Sequence, residues 1–490
     1  MLNKTFLLLL TLVTSFSWSQ DPFIKVYGNN GFDYCRDIEQ NLSSNYYLTG
    51  SSSSFIGGSA DAYLLKIDAD GNFLWSYNYG GNGIEWGEEL EITHDSSLAI
   101  AGYTTSIGAG GFDFYLVKVD STDGSPQWER SYGGADWDKA YDFVQLPDSG
   151  FVLVGETYSF GDMGRNGYMV RTDKNGDTLW TRLFDGPGES FLKGVFLDET
   201  LDSIVVCGGS ESGGAGMLDG YIAKLDLDGN LGGEHFLGTP YDDYFNDINA
   251  NFGYYLVGGG LGTEEEDNQD LWVLKLHQET MEVIFEENNS AVSTDTDFLN
   301  SVWVRPVGDD KTFFCGQTRT YDWSWLDGSY SFYFGKRDWD GLYIIRKTYG
   351  MQGFDAAHAI RSTNDNGTII VGDVHNYATG GSNALVVKLG EDWDFPDIES
   401  ELVYEDITNS IEEIEAGSKA LIYPNPFENE INIEHDIDFE KAEIYSMDGR
   451  LIENQNINNK KLYLKHLPKG TYIINLTKDD RTLSQRIIKL

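Results

Sequence analysis

Short runs of alternating apolar and polar residues fill this chain, and turns rich in Gly, Asp and Asn separate them. Between residues 140 and 184 the runs AYDFVQL, GFVLVGE, GYMVRTD and TLWTRLF follow one another. Alternation with a period of two predicts β-strands. Asp-Gly and Asn-Gly turns predict hairpins, because these dipeptides tolerate positive φ. The pattern therefore predicts four-stranded antiparallel units.

The unit recurs along the chain with a period of about fifty residues. Its third run contains one basic residue in each of seven copies, and these lie at Lys66, Lys118, Arg171, Lys224, Lys275, Lys336 and Lys388. Successive spacings are 52, 53, 53, 51, 61 and 52 residues. Four-stranded units at this period are blades of a β-propeller, so we predict an all-β fold with a seven-bladed propeller.

The phase of the repeat predicts how the ring closes. The run PFIKVYG (22–28) matches the fourth run of a repeat, whereas the last repeat stops after its third run, ALVVKLG (384–390). The N-terminal strand should therefore complete the last blade, because closure removes the exposed sheet edges. The repeats resemble the Gly- and Trp-punctuated propeller repeats of many secreted bacterial proteins, and more weakly the quinoprotein-type blade. That resemblance implies a fold and no particular chemistry.

The first residues predict a secretory signal peptide. Lys4 supplies positive charge, residues 6–13 form an apolar run too short to span a bilayer, and Ser17 and Ser19 place small residues at a cleavage site. We expect a signal peptide over 1–19, no lipoprotein anchor and no later membrane span. The propeller is then predicted over residues 20–390.

Three cysteines, Cys35, Cys207 and Cys315, are an odd and sparse set for an exported chain. Disulfides are therefore not expected to hold the fold together. We interpret the three as small buried thiols in strands.

The C-terminal segment differs from the rest of the chain in composition. Residues 391–418 contain many acidic residues and no Lys or Arg, which predicts an extended, cleavable linker. Residues 419–490 are charge-balanced, so the formal net charge of −45 lies in the preceding residues. So acidic a surface repels nucleic acid and anionic lipid. Alternating apolar residues over 419–490, such as Ile431/Ile433 and Leu462/Leu464, predict a small β-sandwich.

Three stretches of this tail, YPNPFENEINI, IYSMDGRLI and LPKGTYIINLTKDDRTLSQRIIKL, closely resemble the C-terminal sorting domain of type IX secretion substrates, type A, in Gram-negative bacteria. The resemblance implies that the tail is recognised by the type IX translocon and sortase machinery at the outer membrane, after Sec export through the periplasm. It also implies that the tail is removed and that the cargo is attached to surface lipopolysaccharide or released. The propeller would then be the cargo.

Candidate ligand groups converge on one face of the predicted propeller, which carries the links between blades and the loops between second and third strands. Each repeat offers one carboxylate after its Gly-rich link: Asp33, Glu85, Asp136, Glu189, Asp243, Asp297 and Asp355. Such a ring could bind cations or transfer protons. A residue that recurs in every blade usually accepts backbone N–H groups at a turn, so we interpret these carboxylates as structural.

Aromatic residues on the same face are the second candidate. Trp86 and Trp137 follow two of the carboxylates, and the sixth repeat carries an insertion with Tyr321, Trp323, Trp325 and Tyr330. We predict that these six side chains bind a sugar or a protein surface. The alternative for the insertion is that its rings pack the longer loop.

No catalytic or metal-binding motif stands out in the sequence. The DADGN turn (68–72) raises calcium as an alternative, but an EF-type loop also needs a distal Glu and further oxygen ligands, so hairpin chemistry is favoured and no cofactor is expected. No zincin His pair, nucleophile elbow or phosphate loop is present. We therefore predict a secreted or cell-surface binding protein without transmembrane segments. The alternative is a propeller hydrolase or lyase acting on extracellular polysaccharide, which convergence of an acid with His or Tyr in the central funnel would favour.

Overall fold

The computed structural model of this protein describes residues 21–28, 31–54, 60–161, 164–264, 269–289, 297–305, 311–318, 331–337, 343–349, 355–376, 381–391, 393, 403–405, 421–423, 429–434, 439–446, 451–457, 460–478 and 481–489. Every regular element in these ranges is a β-strand, and they contain no apolar helix long enough to cross a membrane. The chain divides into two compact units, Met1–Ser410 and Ile411–Leu490.

The first unit contains seven antiparallel sheets that succeed one another along the chain. Blade one consists of β2 (Asp33–Gln40), β3 (Tyr46–Ser52), β4 (Asp61–Ile67) and β5 (Phe73–Tyr79). Blade two consists of β6 (Glu85–Ile92), β7 (Leu98–Thr104), β8 (Asp113–Val119) and β9 (Pro126–Tyr132). Blade three consists of β10 (Asp138–Gln145), β11 (Phe151–Thr157), β12 (Asn166–Thr172) and β13 (Thr178–Phe184). Blade four consists of β14 (Ser190–Asp198), β15 (Ser203–Ser210), β16 (Asp219–Asp226) and β17 (Leu231–Leu237). Blade five consists of β18 (Tyr244–Asn251), β19 (Tyr254–Gly262), β20 (Gln269–His277) and β21 (Val283–Asn289). Blade six consists of β22 (Phe298–Val304), β23 (Thr312–Thr318), β24 (Ser331–Arg337) and β25 (Tyr343–Tyr349). Blade seven consists of β26 (Ala356–Ser362), β27 (Thr368–Asn376), β28 (Gly381–Leu389) and the N-terminal β1 (Phe23–Tyr27). The predicted seven-bladed β-propeller is confirmed.

The N-terminal strand closes the ring as predicted. β1 pairs antiparallel with β28, and Phe23 lies opposite Lys388. The Tyr27 hydroxyl then donates a hydrogen bond to the carbonyl of Gly71 in blade one, at 2.6 Å. Two other outer strands repeat this contact with the following blade, because Tyr79 donates to Gly124 at 2.7 Å and Tyr132 donates to Gly176 at 2.6 Å. The closing strand therefore makes the same interblade bond as an ordinary outer strand.

The Trp and Gly residues that punctuate the repeats meet at these interblade contacts. Gly124 has φ +76°, and a Cβ placed there would lie 2.9 Å from the ring of Trp75 in the preceding blade. Gly at this turn therefore supplies both the left-handed conformation and the room for the indole. The same pairing joins Trp128 to Gly176 and Trp180 to Gly229, and Phe23 takes the place of the Trp opposite Gly71.

Burial follows strand position within a blade. Second and third strands such as β7 and β8 are buried along their whole length, whereas the outer strand β5 is largely exposed. The apolar core lies between neighbouring sheets, as in the cluster that joins Leu64 and Tyr47 of blade one to Ile100 and Val117 of blade two. Cys35, Cys207 and Cys315 are free and buried in strands, which confirms the interpretation made from sequence.

The segment predicted to be a linker contacts the propeller where the structure describes it. Trp393 is 3% exposed, stacks on Phe313 at 5.9 Å and donates a hydrogen bond from Nε1 to Thr368 Oγ1 at 3.1 Å. β29 (Val403–Glu405) pairs in parallel with the outer edge of β1. The propeller unit therefore continues past the boundary predicted at residue 390, because Trp393 and β29 cover the last blade.

The second unit contains seven strands among its described residues. These are β30 (Leu421–Tyr423), β31 (Glu430–Glu434), β32 (Lys441–Ser446), β33 (Leu451–Asn456), β34 (Lys461–Tyr463), β35 (Gly470–Lys478) and β36 (Arg481–Lys489). They form two sheets, ordered β30-β31-β34 and β33-β32-β35-β36. One apolar core contains Ile431, Leu462, Ala442 and Ile474, which come from both sheets. The alternation of apolar residues read from the sequence thus builds the predicted sandwich.

Candidate functional site in the central funnel

Each innermost strand of the propeller contains a β-bulge at the same place. In β2 the pairing with β3 shifts between Cys35 and Asp37, and in β26 the pairing with β27 shifts between Ala357 and Ala359. A bulge leaves one residue unpaired and re-aims its side chain. The seven unpaired residues, which we call the bulge residues, are Arg36, Glu88, Tyr141, Lys193, Asn246, Asn300 and His358.

All seven bulge residues line one cavity of about 690 Å³, which we call the central funnel. The funnel opens where the innermost strands begin, because Tyr34, Phe298 and Ala356 also line it and lie at the starts of β2, β22 and β26. In an antiparallel blade this end carries the links between blades and the loops between second and third strands. The funnel therefore opens on the face that the sequence analysis selected.

Two of the bulge residues hold neighbouring blades together. Asn246 Nδ2 donates to the carbonyl of Leu299 at 2.7 Å, and Asn300 Nδ2 donates to the carbonyl of Ala357 at 2.8 Å. Each amide thus satisfies a carbonyl on the unpaired edge of the next innermost strand. The other five bulge residues differ in charge and chemistry, and they come from five consecutive blades around the ring.

Arg36 and His358 meet Asp373 on one side of the funnel. His358 Nε2 lies 2.7 Å from Asp373 Oδ2, and Arg36 Nη1 lies 2.9 Å from His358 Nδ1 and 2.7 Å from its Nε2. Asp373 Oδ1 also accepts a hydrogen bond from the Cys35 amide at 2.8 Å. Burial lowers the pKa of His358 and the Arg36 charge lowers it further, so the imidazole is neutral. With Nε2–H donating to Asp373, the Nδ1 lone pair accepts a hydrogen bond from Arg36 Nη1.

Lys193 and Tyr141 meet on the adjoining part of the funnel wall. The Lys193 ammonium lies 3.1 Å from the centre of the Tyr141 ring, and burial lowers the pKa of Lys193 to about 8 against the opposing effects of Glu156 and Glu88. Burial raises the pKa of Tyr141 well above its usual value, and its hydroxyl is hydrogen-bonded to Glu156, so it stays protonated. The wall therefore offers hydrogen-bond donors and acceptors at close range.

An acidic ring around one arginine forms the floor of the funnel. Arg361 Nη2 lies 2.8 Å from Asp37 Oδ1 and 3.1 Å from Glu89 Oε1, and Arg361 Nε lies 3.7 Å from Glu39 Oε1. Burial raises the pKa of Glu39 to about 8, and burial also raises that of Glu91 to about 7.

Several carboxylates of this ring bind the backbone of the next blade. Asp37 accepts from the Leu90 amide at 3.1 Å, Asp142 from the Val195 amide at 2.6 Å, and Asp247 from the Val302 amide at 2.9 Å. Burial raises the pKa of both Asp142 and Asp247. No three His, Cys, Asp or Glu side chains in the described part of the chain are arranged to hold a metal ion.

Most of the repeat carboxylates lie at the start of an innermost strand, and of these Asp355 also lines the funnel. Asp33 accepts hydrogen bonds from the Ser52 and Ser54 hydroxyls, Glu85 accepts one from Thr104 at 2.8 Å, and Asp355 accepts one from the His375 amide at 2.7 Å. Asp243 and Asp297 are likewise buried. These contacts satisfy hydroxyls and an amide of the same blade, as expected for residues that shape a turn.

Asp136 and Glu189 do not share this position, because both are exposed. Asp138 and Ser190 take it instead. The Glu85 amide donates a hydrogen bond to the Ala60 carbonyl at this position. The amides of Asp138 and Ser190 donate the equivalent hydrogen bonds to the carbonyls of Phe112 and Arg165. The links before β10 and β14 contain five residues, as do those before β2 and β6, so Asp138 and Ser190 are the equivalents of Asp33 and Glu85. The assignment of Asp136 was therefore two residues too early, and that of Glu189 one residue too early.

Trp86 and Trp137 lie on the face of the funnel mouth. Trp86 is half-buried and stacks on Tyr34 at 5.1 Å, whereas Trp137 is 55% exposed. Tyr321, Trp323, Trp325 and Tyr330 lie outside the described residues, so their role in ligand binding stays a prediction.

An acid converges with His and Tyr side chains in the funnel, which is the arrangement expected for an enzyme. Asp373 pairs with His358, and Tyr34, Tyr103 and Tyr141 line the same cavity. Sequence reasoning missed these groups, because a bulge does not change the composition of a strand. The available signal was a break in the alternation of each first run, as in Cys35-Arg36-Asp37.

A family model described as a secretion system C-terminal sorting domain matches residues 421–490. The tail is a sorting domain. This match confirms the resemblance found in the sequence, and it makes the chain a substrate of the type IX secretion system that is exported to the cell surface or secreted. It also implies that the sorting domain interacts with the type IX machinery.

No curated protein matches the chain. Solved structures similar to it include the Dos1 propeller, with 11% identity and a TM-score of 0.44 over 78% of this chain and 98% of that one. The β-propeller domain of the Trilobed protease from Pyrococcus furiosus has 13% identity and a TM-score of 0.40 over 76% and 99%. PorZ, a surface component of the type IX secretion system of Porphyromonas gingivalis, has 12% identity and a TM-score of 0.32 over 95% and 70%. Similarities of this size decide nothing about the function of the cargo that the sorting domain exports.

Proposed function

We propose that the exported propeller recognises an extracellular glycan and that the glycan enters the central funnel. The observation that carries this proposal is the set of bulge residues. Five consecutive blades contribute His358, Arg36, Glu88, Tyr141 and Lys193 at one equivalent position, where a purely architectural role would favour one residue type.

The chemistry of the wall suits a sugar. Sugar hydroxyls both donate and accept hydrogen bonds, and the wall alternates donors such as Arg36 with acceptors such as Glu88. Tyr34 and Trp86 supply a stacked aromatic pair beside them. A concave site with a few convergent polar groups is the usual form of a small-molecule site.

A glycan screen of the full chain tests the proposal. We expect at least one bound glycan, and we expect Arg36→Met to weaken its binding because the change removes the guanidinium donors from the wall. Arg182→Met is the matched control, since Arg182 lies on outer strand β13 and binds the Gly229 carbonyl at 2.8 Å. Thermal unfolding of both variants separates lost binding from lost folding. Absence of any glycan ligand, or equal effects of the two changes, would overturn the proposal.

A second candidate function is cleavage of the bound polysaccharide. The favouring observation is the convergence of the His358–Asp373 pair with Lys193 and Tyr141 in one cavity. A neutral imidazole and an ammonium with a pKa of about 8 both suit proton transfer near neutral pH. By the criterion stated from the sequence, this convergence favours an enzyme over a passive binder.

Product analysis separates the two candidates. Incubation with the bound glycan should create new reducing ends for a hydrolase, or unsaturated ends that absorb ultraviolet light for a lyase. His358→Gln should then lower kcat more than it raises KM. If no product forms between pH 5 and 9, the enzyme is excluded and glycan binding stands.

We also propose the route by which the propeller reaches its ligand. The apolar run at residues 6–13 supports Sec export, and the sorting domain supports passage from the periplasm through the type IX translocon of a Gram-negative bacterium. Edman sequencing of the secreted protein tests the first step. An N-terminus at residue 20 or 21 is expected, and retention of residues 1–19 would contradict it.

A further inference from the structure

Six aromatic rings form a continuous band beside the mouth of the funnel. Phe32 stacks on Tyr34 at 6.3 Å, Tyr34 on Trp86 at 5.1 Å, and Trp86 on Tyr103 at 6.2 Å. Edge-to-face contacts of 5.1 and 5.7 Å then join Tyr103 to Phe112 and Phe112 to Trp137. The aromatic band crosses blades one, two and three, and both Tyr34 and Tyr103 also line the funnel.

The two ends of the aromatic band are exposed. Phe32 is 46% exposed and Trp137 is 55% exposed, whereas Tyr103 in the middle is 9% exposed. Rings that only packed the blades would bury their faces. Exposed aromatic side chains of this size, joined by stacked rings that reach the funnel, are typical of a binding site. Because the band extends from the funnel across three blades, it suits a chain of several sugar rings better than a single sugar.

Two lysines, Lys139 beside the band and Lys193 on the adjoining funnel wall, form no ion pair among the described residues. Lys139 Nζ lies 5.1 Å from the ring centre of Tyr103, 5.0 Å from that of Phe112 and 5.5 Å from that of Trp137, and Lys193 lies over Tyr141. Within the ranges that the structure describes, neither ammonium has a carboxylate at salt-bridge distance or a hydrogen-bond acceptor. Their neighbours there are aromatic faces.

The acidic groups nearby are already engaged. Glu88 lies 3.6 Å from Arg36 Nε and is hydrogen-bonded to Tyr103, and Glu156 lies 3.7 Å from Arg165 Nη1. Among the described residues of the band and the adjoining funnel wall, the cations without an ion pair are therefore Lys139 and Lys193, in a chain whose formal net charge of −45 otherwise repels anions. A charged ligand group that accepts their N–H bonds would replace water at both sites.

We propose that the ligand is an acidic polysaccharide, which stacks its sugar rings along the aromatic band and places its carboxylate or sulfate groups on Lys139 and Lys193. This inference rests on the proposed glycan function and names the class of glycan.

Binding of defined polysaccharides to the full chain tests the inference. The probes are polygalacturonate for carboxylates, carrageenan for sulfates, hydroxyethyl cellulose as a neutral chain, and polyglutamate as an acidic polymer without sugar rings. Affinity electrophoresis at increasing NaCl concentration should show binding to one or both acidic polysaccharides, weakening with salt. The neutral chain and polyglutamate should bind about tenfold more weakly or not at all.

Four variants make the test specific to these residues. Lys139→Gln with Lys193→Gln should weaken acidic polysaccharide binding by about tenfold or more, and Trp137→Ala by about fivefold or more. Lys174→Gln and Phe252→Ala are the controls. Lys174 is exposed and Phe252 is 53% exposed, and both lie in turns at the opposite face of the propeller. The controls should change affinity by less than about twofold.

The outcomes separate this inference from the proposed function. A neutral glycan that binds equally well, with no effect of the two lysine changes, overturns the acidic ligand and leaves glycan recognition standing. Polyglutamate that binds as tightly as the polysaccharides, with no effect of Trp137→Ala, overturns the aromatic band as a sugar platform. If no polysaccharide binds, both proposals fail.

Discussion

Replacing Arg361 with Leu tests the acidic floor of the funnel. The Arg361 side chain is 14% exposed and forms ion pairs with Asp37 and Glu39 of blade one and Glu89 of blade two, while it belongs to blade seven. One guanidinium therefore ties three blades together across the closure of the ring. Its removal leaves Asp37 buried, and Glu39 and Glu89 partly buried, without their cation.

The expected loss is large for one side chain. Breaking a buried ion pair by removing one partner costs about 3–5 kcal/mol, out of about 5–15 kcal/mol for a whole domain. Because the unfolding entropy scales with chain length, that loss lowers the Tm of a propeller of this size by about 4–6 °C. Differential scanning calorimetry of the full chain measures it and separates the propeller transition from that of the sorting domain.

The loss of stability in the Arg361 variant should depend on pH. Glu91 and Glu39 have folded pKa values of about 7 and about 8, raised above their unfolded values by burial. Raised folded pKa values contribute stability that is complete below the unfolded pKa and is lost as pH rises through 7 to 8. Without Arg361 the Glu39 carboxyl depends on protonation alone, so Arg361→Leu should lose more stability at pH 9 than at pH 5.5.

Two further variants control the experiment. Adding Glu89→Gln to Arg361→Leu should recover part of the loss, because it removes one of the repelling charges. Arg182→Leu removes an arginine with a single carbonyl partner and should cost only about 1–2 kcal/mol. If Arg361→Leu unfolds at the wild-type temperature at pH 9, the carboxylates are not held by this cation and the reasoning about the floor is wrong.

Three more predictions follow from the fold and the site. Tyr27→Phe should cost about 1–2 kcal/mol, as should Tyr79→Phe, because both remove a buried bond to the next blade; calorimetry that finds a loss only for Tyr79→Phe would contradict closure by β1. Binding of an acidic polysaccharide should decline as pH rises through about 8, where Lys193 loses its charge, and Lys193→Arg should bind equally at pH 7 and 9. Deleting residues 421–490 should leave a folded propeller in the periplasm, and its normal appearance at the cell surface, followed by immunoblotting, would refute the sorting role.

The blades and their closure could be predicted from the sequence because local turn chemistry and interblade contacts coincide. Gly124 is required by its positive φ and by the approach of Trp75, so the same two residue types recur at the same spacing. The displaced carboxylates show the limit of that signal. Asp136 and Asp138 differ by two positions, and the Gly-rich pattern alone did not separate the exposed one from the buried one that binds Thr157.

The funnel wall could not be predicted, because its position depends on pairing between strands. A bulge arises when one residue of a strand has no partner, and its one local sign, a break in the alternation as around Arg36, does not reveal which residues of other blades it meets. The contact between Arg36 and His358 joins residues 322 positions apart. Only the closed ring brings such positions together, so the site follows from topology and not from spacing along the chain.

Comparison of equivalent positions in the seven blades distinguishes structural residues from candidate functional ones. Positions that serve the same interblade contact keep the same residue type, as the tyrosines of β1, β5 and β9 do. At the bulge position, blades five and six both use Asn to bind the next blade, whereas blades seven, one, two, three and four use five different polar residues. The aromatic band lies on blades one, two and three, inside that same arc. The varied bulge residues and the aromatic band thus lie on the same side of the ring. A structural requirement shared by all seven blades would instead have distributed both features around the whole ring.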